Sequence, residues 1–335
     1  MKSISTTFIL LSTFGAALAG FQPGSQSNLA VYWGQNSAGQ AGSQQRLSQY
    51  CSDTDVDIII LAFMVDMNGT KLNFANQEGH CNQSPYPTKC PEIEEDINVC
   101  HKNNKTVLLS LGGDRSSATG YASEAAAQAD ASVLWQMFGP RDQSKADITR
   151  PFGSASVDGF DFDFEHDVKN IVPFGKALRE QMGATPRGDG GKWYLSAAPI
   201  CTMSQPFPTV QEMLDQVQFD MVFVQYYNDQ TCDHRNGFNF QKWNDWASKN
   251  NTAFFVGLPA HETAAPAGGY VPPGELGTTF GNTTGMGSWK GAMLWDASQA
   301  WGNDNYHKKV KAAMKASSNK SHRSVRRHRF HRRTG

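Results

Sequence analysis

One nine-residue run constrains the fold of this chain more than any other segment. Residues 158–166 read DGFDFDFEH, so carboxylates and phenylalanines alternate along the chain. In a β-strand, successive side chains point to opposite faces and are about 3.3 Å apart along the strand. The pattern therefore predicts a strand that presents Asp161, Asp163 and Glu165 on one face and phenylalanines on the other.

The phenylalanines argue against full exposure, so we expect the acidic face of this strand to be partly buried. Burial and like-charge repulsion both disfavour ionised carboxylates, and at least one of the three acids should therefore keep its proton near neutral pH. A protonated carboxyl group can act as a general acid. A metal-binding acidic cluster and a solvated edge strand are the alternative interpretations of the same run.

The two ends of the 335-residue chain differ in composition from its body. Residues 1–19 combine Lys2, an apolar stretch and a small-residue site, which predicts a secretory signal peptide and an extracellular protein. No apolar run is long enough for a membrane anchor. From Lys308 onward lie 11 of the 30 Lys and Arg, which leaves 19 against 31 Asp and Glu, a formal charge of -12 for residues 1–307.

The basic end of the chain has almost no apolar content. We expect residues 20–316 to form one folded domain and residues 317–335 to form a disordered tail. Three roles are open for this tail: contact with anionic wall polymers, trimming at Arg326-Arg327, or none. We expect a monomer without a nucleic-acid partner.

Six cysteines in a chain with a secretory leader predict three disulfide bonds, for which sequence alone allows fifteen pairings. No CxxC or HxxxH spacing indicates zinc, and we expect neither a metal nor another cofactor. Potential N-glycosylation triplets fit a eukaryotic secretory route. They begin at Asn68, Asn82, Asn104, Asn250, Asn282 and Asn319.

Eight runs of apolar, β-branched or aromatic residues are spaced along the chain, and most of the segments between them are long enough for a helix. This alternation predicts an α/β fold with a parallel barrel inside a ring of helices, in which active sites lie at the C-terminal ends of the strands. The runs are 29–33, 56–63, 106–111, 157–164, 193–198, 221–226, 253–258 and 291–295.

Several motifs on these strands resemble one enzyme family. The acidic run is similar to the DxxDxDxE signature of the family 18 glycoside hydrolases, and SLGG at 110–113 is similar to their SxGG motif. Residues 29–301 as a whole resemble the class III, hevamine-like chitinases of plants and fungi. Further matching segments are YWGQN at 32–36, QYYN at 225–228, GLPA at 257–260 and MLW at 293–295.

The resemblance implies a single (β/α)8 TIM barrel without the α+β insertion domain, acting on chitin and chitin oligosaccharides as an endochitinase. Glu165 would donate a proton and later activate water, and Asp163 would bind the acetamido N–H of the substrate. Tyr227 would hold the acetamido oxygen, and Asp161 would share a proton with Asp163. In this family the substrate's own acetamido group serves as the nucleophile, which suits two acids that lie on one strand.

The predicted substrate-binding set comprises aromatic, polar and glycine residues near the strand ends. We expect Trp295 to stack on the sugar, with Tyr32 and Phe63 as further candidates for which core packing is the alternative. Gly112 and Gly113 are expected to allow close backbone approach below the substrate. The full set is Tyr32, Phe63, Gly112, Gly113, Gln225, Asn228 and Trp295.

Two neighbours of the acidic run receive supporting roles, Asp158 as a structural residue and His166 as a hydrogen-bonding residue behind the acid. The class III pattern further implies the disulfides Cys51–Cys100, Cys81–Cys90 and Cys201–Cys232.

Two other functions remain open at this point. A chitin-binding lectin or an enzyme inhibitor can use the same barrel, although such proteins usually lose the acid that Glu165 supplies here. An endo-β-N-acetylglucosaminidase that cleaves N-glycans would share the same catalytic strand.

Overall fold

A computed structural model describes residues 20–67, 71–76, 81, 89–145 and 147–331, with side chains up to residue 319. The predicted signal peptide lies outside the described residues, as do the glycosylation triplets at Asn68 and Asn82 and the last four residues of the tail. Among the described helices, none combines the length and the apolar character that a membrane crossing requires.

Eight parallel strands close into a barrel, because β1 pairs with both β2 and β9 and every other barrel strand pairs with its neighbours. A two-residue strand, β3, adds to β2 in antiparallel orientation and was not predicted. The predicted (β/α)8 barrel is confirmed. The strands are β1 (Asn28–Trp33), β2 (Ile58–Asp66), β3 (Lys71–Leu72), β4 (Thr106–Gly112), β5 (Gly159–Asp163), β6 (Tyr194–Ala197), β7 (Met221–Gln225), β8 (Ala253–Pro259) and β9 (Trp289–Trp295).

Helices surround the barrel and connect its strands. Local signals set several of their starts: Pro91 opens α2, and the Ser123 side chain accepts a hydrogen bond from the Ala126 N–H at the start of α3. The helices are α1 (Leu47–Cys51), α2 (Pro91–Lys102), α3 (Glu124–Phe138), α4 (Ile171–Ala184), α5 (Pro208–Gln216), α6 (Phe240–Lys249), α7 (Leu276–Gly281), α8 (Ala297–Gly302) and α9 (Tyr306–His331). Between β8 and β9 the chain forms short helical turns rather than an inserted domain.

The alternation along β5 divides its side chains between two cores, as predicted. Phe160 and Phe162 point outward, where Phe160 packs on Trp135 of α3 and Phe162 packs on Phe174 of α4. The carboxylates between them face the barrel interior. The hydrophobic layer behind the strand thus fixes the direction of the acidic row.

The last helix extends beyond residue 316, where we expected the folded domain to end. It packs against the bottom of the barrel, the end at which the strands begin, through the ion pairs His307–Asp53, Lys311–Asp57 and Lys315–Asp55. It then continues to His331, whereas the sequence predicted disorder from residue 317. The correction has a physical reason, since this segment is rich in Lys, Arg, Ala and Ser and contains no Gly or Pro before its end.

The three disulfides that the family resemblance implied are confirmed. Cys51–Cys100 and Cys81–Cys90 lie in the segment between β1 and β4 that includes α1 and α2, and Cys201–Cys232 ties the loop after β6 to the loop after β7.

Candidate active site

The innermost acid of the row, Asp161, is completely buried and held by three hydroxyl groups. Tyr32 and Ser110 each donate to its Oδ2 at 2.7 Å, and Ser196 donates to its Oδ1 at 2.7 Å. Burial raises the pKa of Asp161, and these hydroxyls oppose that effect by stabilising the anion. The charge of Asp161 is one of the causes that raise the pKa of Asp163, and a proton shared between the two acids stays a prediction.

Asp163, at the end of β5, is 3% exposed and hydrogen-bonded to a residue at the end of β7. The Gln225 amide donates to its Oδ1 at 2.8 Å and to the Ala198 carbonyl at 2.9 Å, which fixes the orientation of that amide. Burial, followed by the charges of Glu165 and Asp161, holds the pKa of Asp163 well above its usual value. Gln225 is therefore placed as a support for the carboxylate.

Glu165 lies two residues beyond the end of β5, at the mouth of the barrel, and is partly exposed. Burial raises its pKa to about 7, the negative charge of Asp114 adds to this effect, and Gln225 opposes it. A carboxyl group with this pKa is protonated in a large fraction of molecules near neutral pH and can exchange its proton during a reaction. The environment of Glu165 suits both the donor and the acceptor role.

The pairing of β4 with β5 explains why Asp114 lies near Glu165. Gly112 pairs with Asp163, and the Gly113 N–H donates to the Asp163 carbonyl at 2.7 Å. Extending this register by two residues along each chain brings the exposed Asp114 near Glu165. The sequence analysis did not select Asp114, Ser110 or Ser196. Ser110 belongs to the SxGG motif, and Ser196 is an isolated hydroxyl in an apolar strand, but neither signal identifies Asp161 as the partner.

Tyr227 approaches the row from the end of β7 and is 6% exposed. Burial and then the charge of Asp163, with smaller effects from Glu165 and Asp161, raise the pKa of its hydroxyl well above the ordinary value. Tyr227 is therefore a neutral hydrogen-bond donor at any physiological pH. The structure brings together all four predicted catalytic residues.

Three aromatic residues close the mouth of the barrel. Trp295 is half-buried, stacks on Phe63 at 5.8 Å between ring centroids and meets the edge of Tyr32 at 5.5 Å. Trp295 is thus placed to offer a ring face to a sugar. The prediction for Tyr32 needs correction, because this side chain is 1% exposed and its hydroxyl is bound to Asp161. Phe63, at 5% exposure, supports Trp295 from behind.

The two glycines after β4 allow close approach of other protein atoms. A Cβ atom on Gly113 would lie 2.8 Å from the Phe63 ring, and one on Gly112 would overlap the main-chain carbonyl of Asp163. Both have positive φ angles, of 86° and 110°. These glycines let β4 approach β5 and Phe63 closely, and their place below the substrate stays a prediction.

The remaining predicted residues lie around the site. Asn228 has a φ of 57°, and its side chain accepts from the Ala267 N–H at 3.1 Å, so it binds the next loop. The His166 Nε2 donates to the Ala118 carbonyl at 2.7 Å, which fits the predicted supporting role. Asp158 precedes β5 at the opposite end of the barrel, where it binds His101 and Arg187.

Among the described residues, one group has the spacing of a metal site: Cys201, Asp229 and Cys232. The two sulfur atoms are joined in a disulfide and cannot serve as thiolate ligands, so this group is not a candidate metal centre.

Comparison with known proteins agrees with this geometry. The model of the family "Glycosyl hydrolases family 18" matches residues 28–318, and the chain belongs to that family. Endochitinase 33 of Trichoderma harzianum is 40% identical over 329 residues, which cover 94% of this chain and 100% of that protein. The predicted family is confirmed.

Two solved structures show how broadly this barrel is used. A chitinase from Ipomoea carnea superimposes with a TM-score of 0.68 at 28% identity, covering 85% of this chain and 99% of that one. The xylanase and α-amylase inhibitor XAIP-II of Scadoxus multiflorus superimposes with a TM-score of 0.69 at 26% identity, covering 84% and 97%. The fold alone therefore does not distinguish an enzyme from an inhibitor, and the distinction depends on the site.

Proposed function

We propose that this protein is an endo-acting chitinase that hydrolyses β-1,4 bonds between N-acetylglucosamine units by a retaining, substrate-assisted mechanism. One observation carries the proposal: the buried Asp161 and Asp163 and the partly exposed Glu165 form a single row at the barrel mouth, with Tyr227 beside them and a pKa of about 7 at Glu165. An inhibitor or lectin has no need of this proton-donating arrangement, whose desolvation is unfavourable for stability.

In the first step, Glu165 transfers its proton to the glycosidic oxygen as the bond from that oxygen to C1 breaks. The carbonyl oxygen of the 2-acetamido group on the same sugar bonds to C1 and forms an oxazolinium-like ring. Asp163 accepts a hydrogen bond from the acetamido N–H and balances its positive charge. Tyr227 donates to the acetamido oxygen and holds it in line with C1.

In the second step, the ionised Glu165 takes a proton from water, whose oxygen attacks C1 while the bond from the acetamido oxygen breaks. The acetamide is restored, Glu165 is protonated again, and the product retains the β configuration. Asp163 and Glu165 project from the same strand and approach the sugar from one side, which fits a nucleophile supplied by the substrate.

The rival enzyme activity is cleavage of the chitobiose core of N-glycans. The segment between β8 and β9 holds short helical turns and no inserted domain that would deepen a cleft at the barrel mouth. An open cleft accommodates a long chain on both sides of the cleaved bond, and this favours internal cleavage of chitin.

We also propose that the protein acts outside the cell and as a monomer. Its three disulfides fit an oxidising compartment, as does the predicted signal peptide. The seven basic residues from Lys320 onward would add weak, salt-sensitive binding to anionic wall polymers.

The test is product analysis on soluble chitin oligomers with detection of the anomers, beside fully deacetylated chitosan. We expect internal cleavage, an initial excess of the β anomer and no reaction with chitosan, which lacks the acetamido nucleophile. Initial release of the α anomer, or cleavage of chitosan as fast as chitin, would exclude substrate assistance. Binding of the oligomer without any product would favour the lectin.

A further inference from the structure

The loop after β7 (residues 226–239) and the loop after β8 (residues 260–275) touch directly behind Tyr227. We propose that these two loops form a clamp that sets the position of the Tyr227 hydroxyl, with Gly269 as its positioning residue. The inference rests on the role proposed for Tyr227 and extends it to a residue outside the motifs of the strands.

The first observation is the contact at Gly269. Its φ is 115°, and a Cβ atom added there would lie 2.5 Å from the Tyr227 Cα and 2.6 Å from the Tyr227 Cβ. The carbonyl oxygen of Tyr226 would be 2.7 Å away. Real Cβ atoms do not approach other atoms this closely, so any larger residue at position 269 must displace the Tyr227 backbone. Gly269 therefore contacts the site residue itself.

Hydrogen bonds fix the same two loops in register. The Asn228 N–H donates to the Gly268 carbonyl at 2.9 Å, and the Ala267 N–H donates to the Asn228 Oδ1 at 3.1 Å. Asn228 adopts a φ of 57°, a conformation that asparagine tolerates better than most residues. The residue directly after Tyr227 is thus bound to the residues directly before Gly269.

A third contact holds the far side of the clamp. The Arg235 guanidinium donates to the Ala267 carbonyl at 2.8 Å and pairs with Asp233, whose side chain is fully buried. Cys232, next to Asp233, is bound to Cys201 after β6. The loop after β7 is therefore anchored to its neighbours on both sides.

These contacts matter because they hold the Tyr227 backbone directly after the end of β7, while the side chain packs in the core inside the barrel. Its hydroxyl lies in the field of three carboxylates, and a catalytic donor must be held within about 0.5 Å of its productive position. A displacement of the Tyr227 backbone would move the hydroxyl by a comparable amount. The clamp thus acts on the alignment of the acetamido oxygen rather than on sugar stacking at Trp295.

The experiment compares Gly269→Ala with Gly274→Ala. Gly274 lies in the same loop, and a Cβ there would meet nothing within 4 Å. For a short chitin oligomer we expect Gly269→Ala to lower kcat by about 10-fold or more, with a much smaller change in KM, because misalignment costs rate rather than stacking. Gly274→Ala should match the wild type. Equal kcat values for the two variants, both folded, would overturn the proposal.

Combination with Tyr227→Phe separates positioning from a general structural effect. The single variant Tyr227→Phe should lower kcat by about 10²-fold, the scale of losing one positioned donor. In that background Gly269→Ala should cost less than about twofold, because the hydroxyl that it displaces is already gone. Full multiplication of the two effects would overturn the clamp. A Tyr227→Phe variant with wild-type kcat would instead refute the role of Tyr227 in the proposed function.

A second variant keeps the proposal testable if Gly269→Ala does not fold. Asn228→Gly keeps the positive φ and removes the acceptor of the Ala267 N–H, which loosens the clamp without a clash. We expect a several-fold loss of kcat that disappears in the Tyr227→Phe background. An unchanged kcat in folded Asn228→Gly would contradict a positioning role for the clamp.

Discussion

The two ends of this barrel surround their buried carboxylates in opposite ways. At the bottom, an aspartate precedes each of three alternate barrel strands, β2, β5 and β7, and accepts a hydrogen bond from the N–H of the second residue of the preceding barrel strand. The pairs are Asp57 with Leu29 at 2.7 Å, Asp158 with Val107 at 2.7 Å and Asp220 with Leu195 at 2.9 Å. Each of these aspartates also faces a cation, respectively Lys311, Arg187 and Arg179.

At the mouth, the carboxylates of Asp161, Asp163 and Glu165 have no described ion pair with Lys or Arg and instead face one another. Burial raises the pKa of all three; the charges of Glu165 and Asp161 raise that of Asp163 further, and the charge of Asp114 raises that of Glu165. For Asp158 at the bottom, burial alone would also raise the pKa, but His101 and Arg187 outweigh it and the pKa is lowered. The same type of side chain thus stabilises one end of the fold and destabilises the other.

The comparison shows that the carboxylates at the mouth lower the stability of the fold and that this arrangement serves catalysis. A carboxylate that is bound to cations and backbone N–H groups is stable but cannot give up a proton at neutral pH, because it does not carry one. A crowded carboxylate carries a proton, at a cost in folding free energy. The unfavourable electrostatics of the carboxylates at the mouth are therefore a functional signature, and the paired carboxylates at the bottom serve as an internal reference.

The strongest test of the comparison is Glu165→Gln. Removing the transferable proton while preserving the shape of the side chain should abolish hydrolysis, a loss of at least ~10²-fold in kcat, and leave oligomer binding intact. Turnover by the purified variant and calorimetric binding of a chitin oligomer would measure both effects. Glu180→Gln, on the exposed face of α4, is the matched control. Near-wild-type turnover in Glu165→Gln would refute the assignment of the acid.

The same variant should gain stability at high pH. The pKa of Glu165 rises on folding from about 4.5 to about 7, so the folded state binds more protons between these values and wild-type stability falls as pH rises through that window. Glu165→Gln lacks this loss and should exceed the wild type by on the order of 1–3 kcal/mol at pH 8 and by less at pH 5. Urea denaturation at both pH values measures the difference. An advantage that does not depend on pH would contradict the raised pKa.

At the bottom of the barrel, Asp158→Asn should lower stability and leave catalysis nearly unchanged. It leaves Arg187 and His101 without their buried anion, and the free energy of unfolding should fall by about 3 kcal/mol with little change in kcat of the folded enzyme. Asp189→Asn is the control, because Asp189 pairs with the same Arg187 but is exposed, and its loss should cost less than about 1 kcal/mol. Equal losses of stability would mean that burial does not distinguish the two pairs.

A smaller effect is expected from Asp114→Asn. Removing this negative charge eases ionisation of Glu165, so its pKa falls and the alkaline limb of the kcat profile moves to lower pH. Because Asp114 is exposed, 1 M salt should move the wild-type limb in the same direction and leave the variant less affected. A limb that stays in place in Asp114→Asn would show that burial alone sets the pKa of Glu165.

The smallest effect is predicted for the basic tail. A chain that ends at Ser317 keeps the ion pairs of His307, Lys311 and Lys315, and turnover of a short oligomer should equal that of the full chain. Its retention on a polyanion column should fall. A chain that ends at Asn305 lacks those pairs and should not fold stably. Loss of activity in the chain that ends at Ser317 would place residues 318–335 inside the domain.

Much of the site could be predicted because it lies in one strand. The alternation of Asp161, Asp163 and Glu165 with phenylalanines is a local pattern. The predicted ends of the eight barrel strands lie within a few residues of the observed ends. The family resemblance supplied Tyr227 and the disulfide pairing, which local patterns cannot give. These features depend on short-range order or on residue identity.

The errors arose where a side chain depends on a partner far along the chain. Tyr32 is an aromatic residue beside a polar motif in the sequence, and only the closed barrel shows that its hydroxyl meets Asp161, 129 residues away. Asp114 acquires its effect on Glu165 from the pairing of β4 with β5. Gly112 and Gly113 indicate close approach, but the sequence does not tell which atoms approach.

The closure of the barrel between β1 and β9 has a consequence for biosynthesis. The second strand to pair with β1 is formed by Trp289–Trp295, and Lys311 reaches Asp57 across 254 residues of sequence. A growing chain therefore cannot complete its fold until nearly all of it has been translated, and its first strand waits with an open edge. Two of the three crosslinks lie within the first 100 residues and can form early. Oxidation can thus stabilise the amino-terminal third of the chain while the ribosome is still adding the strand that closes the barrel.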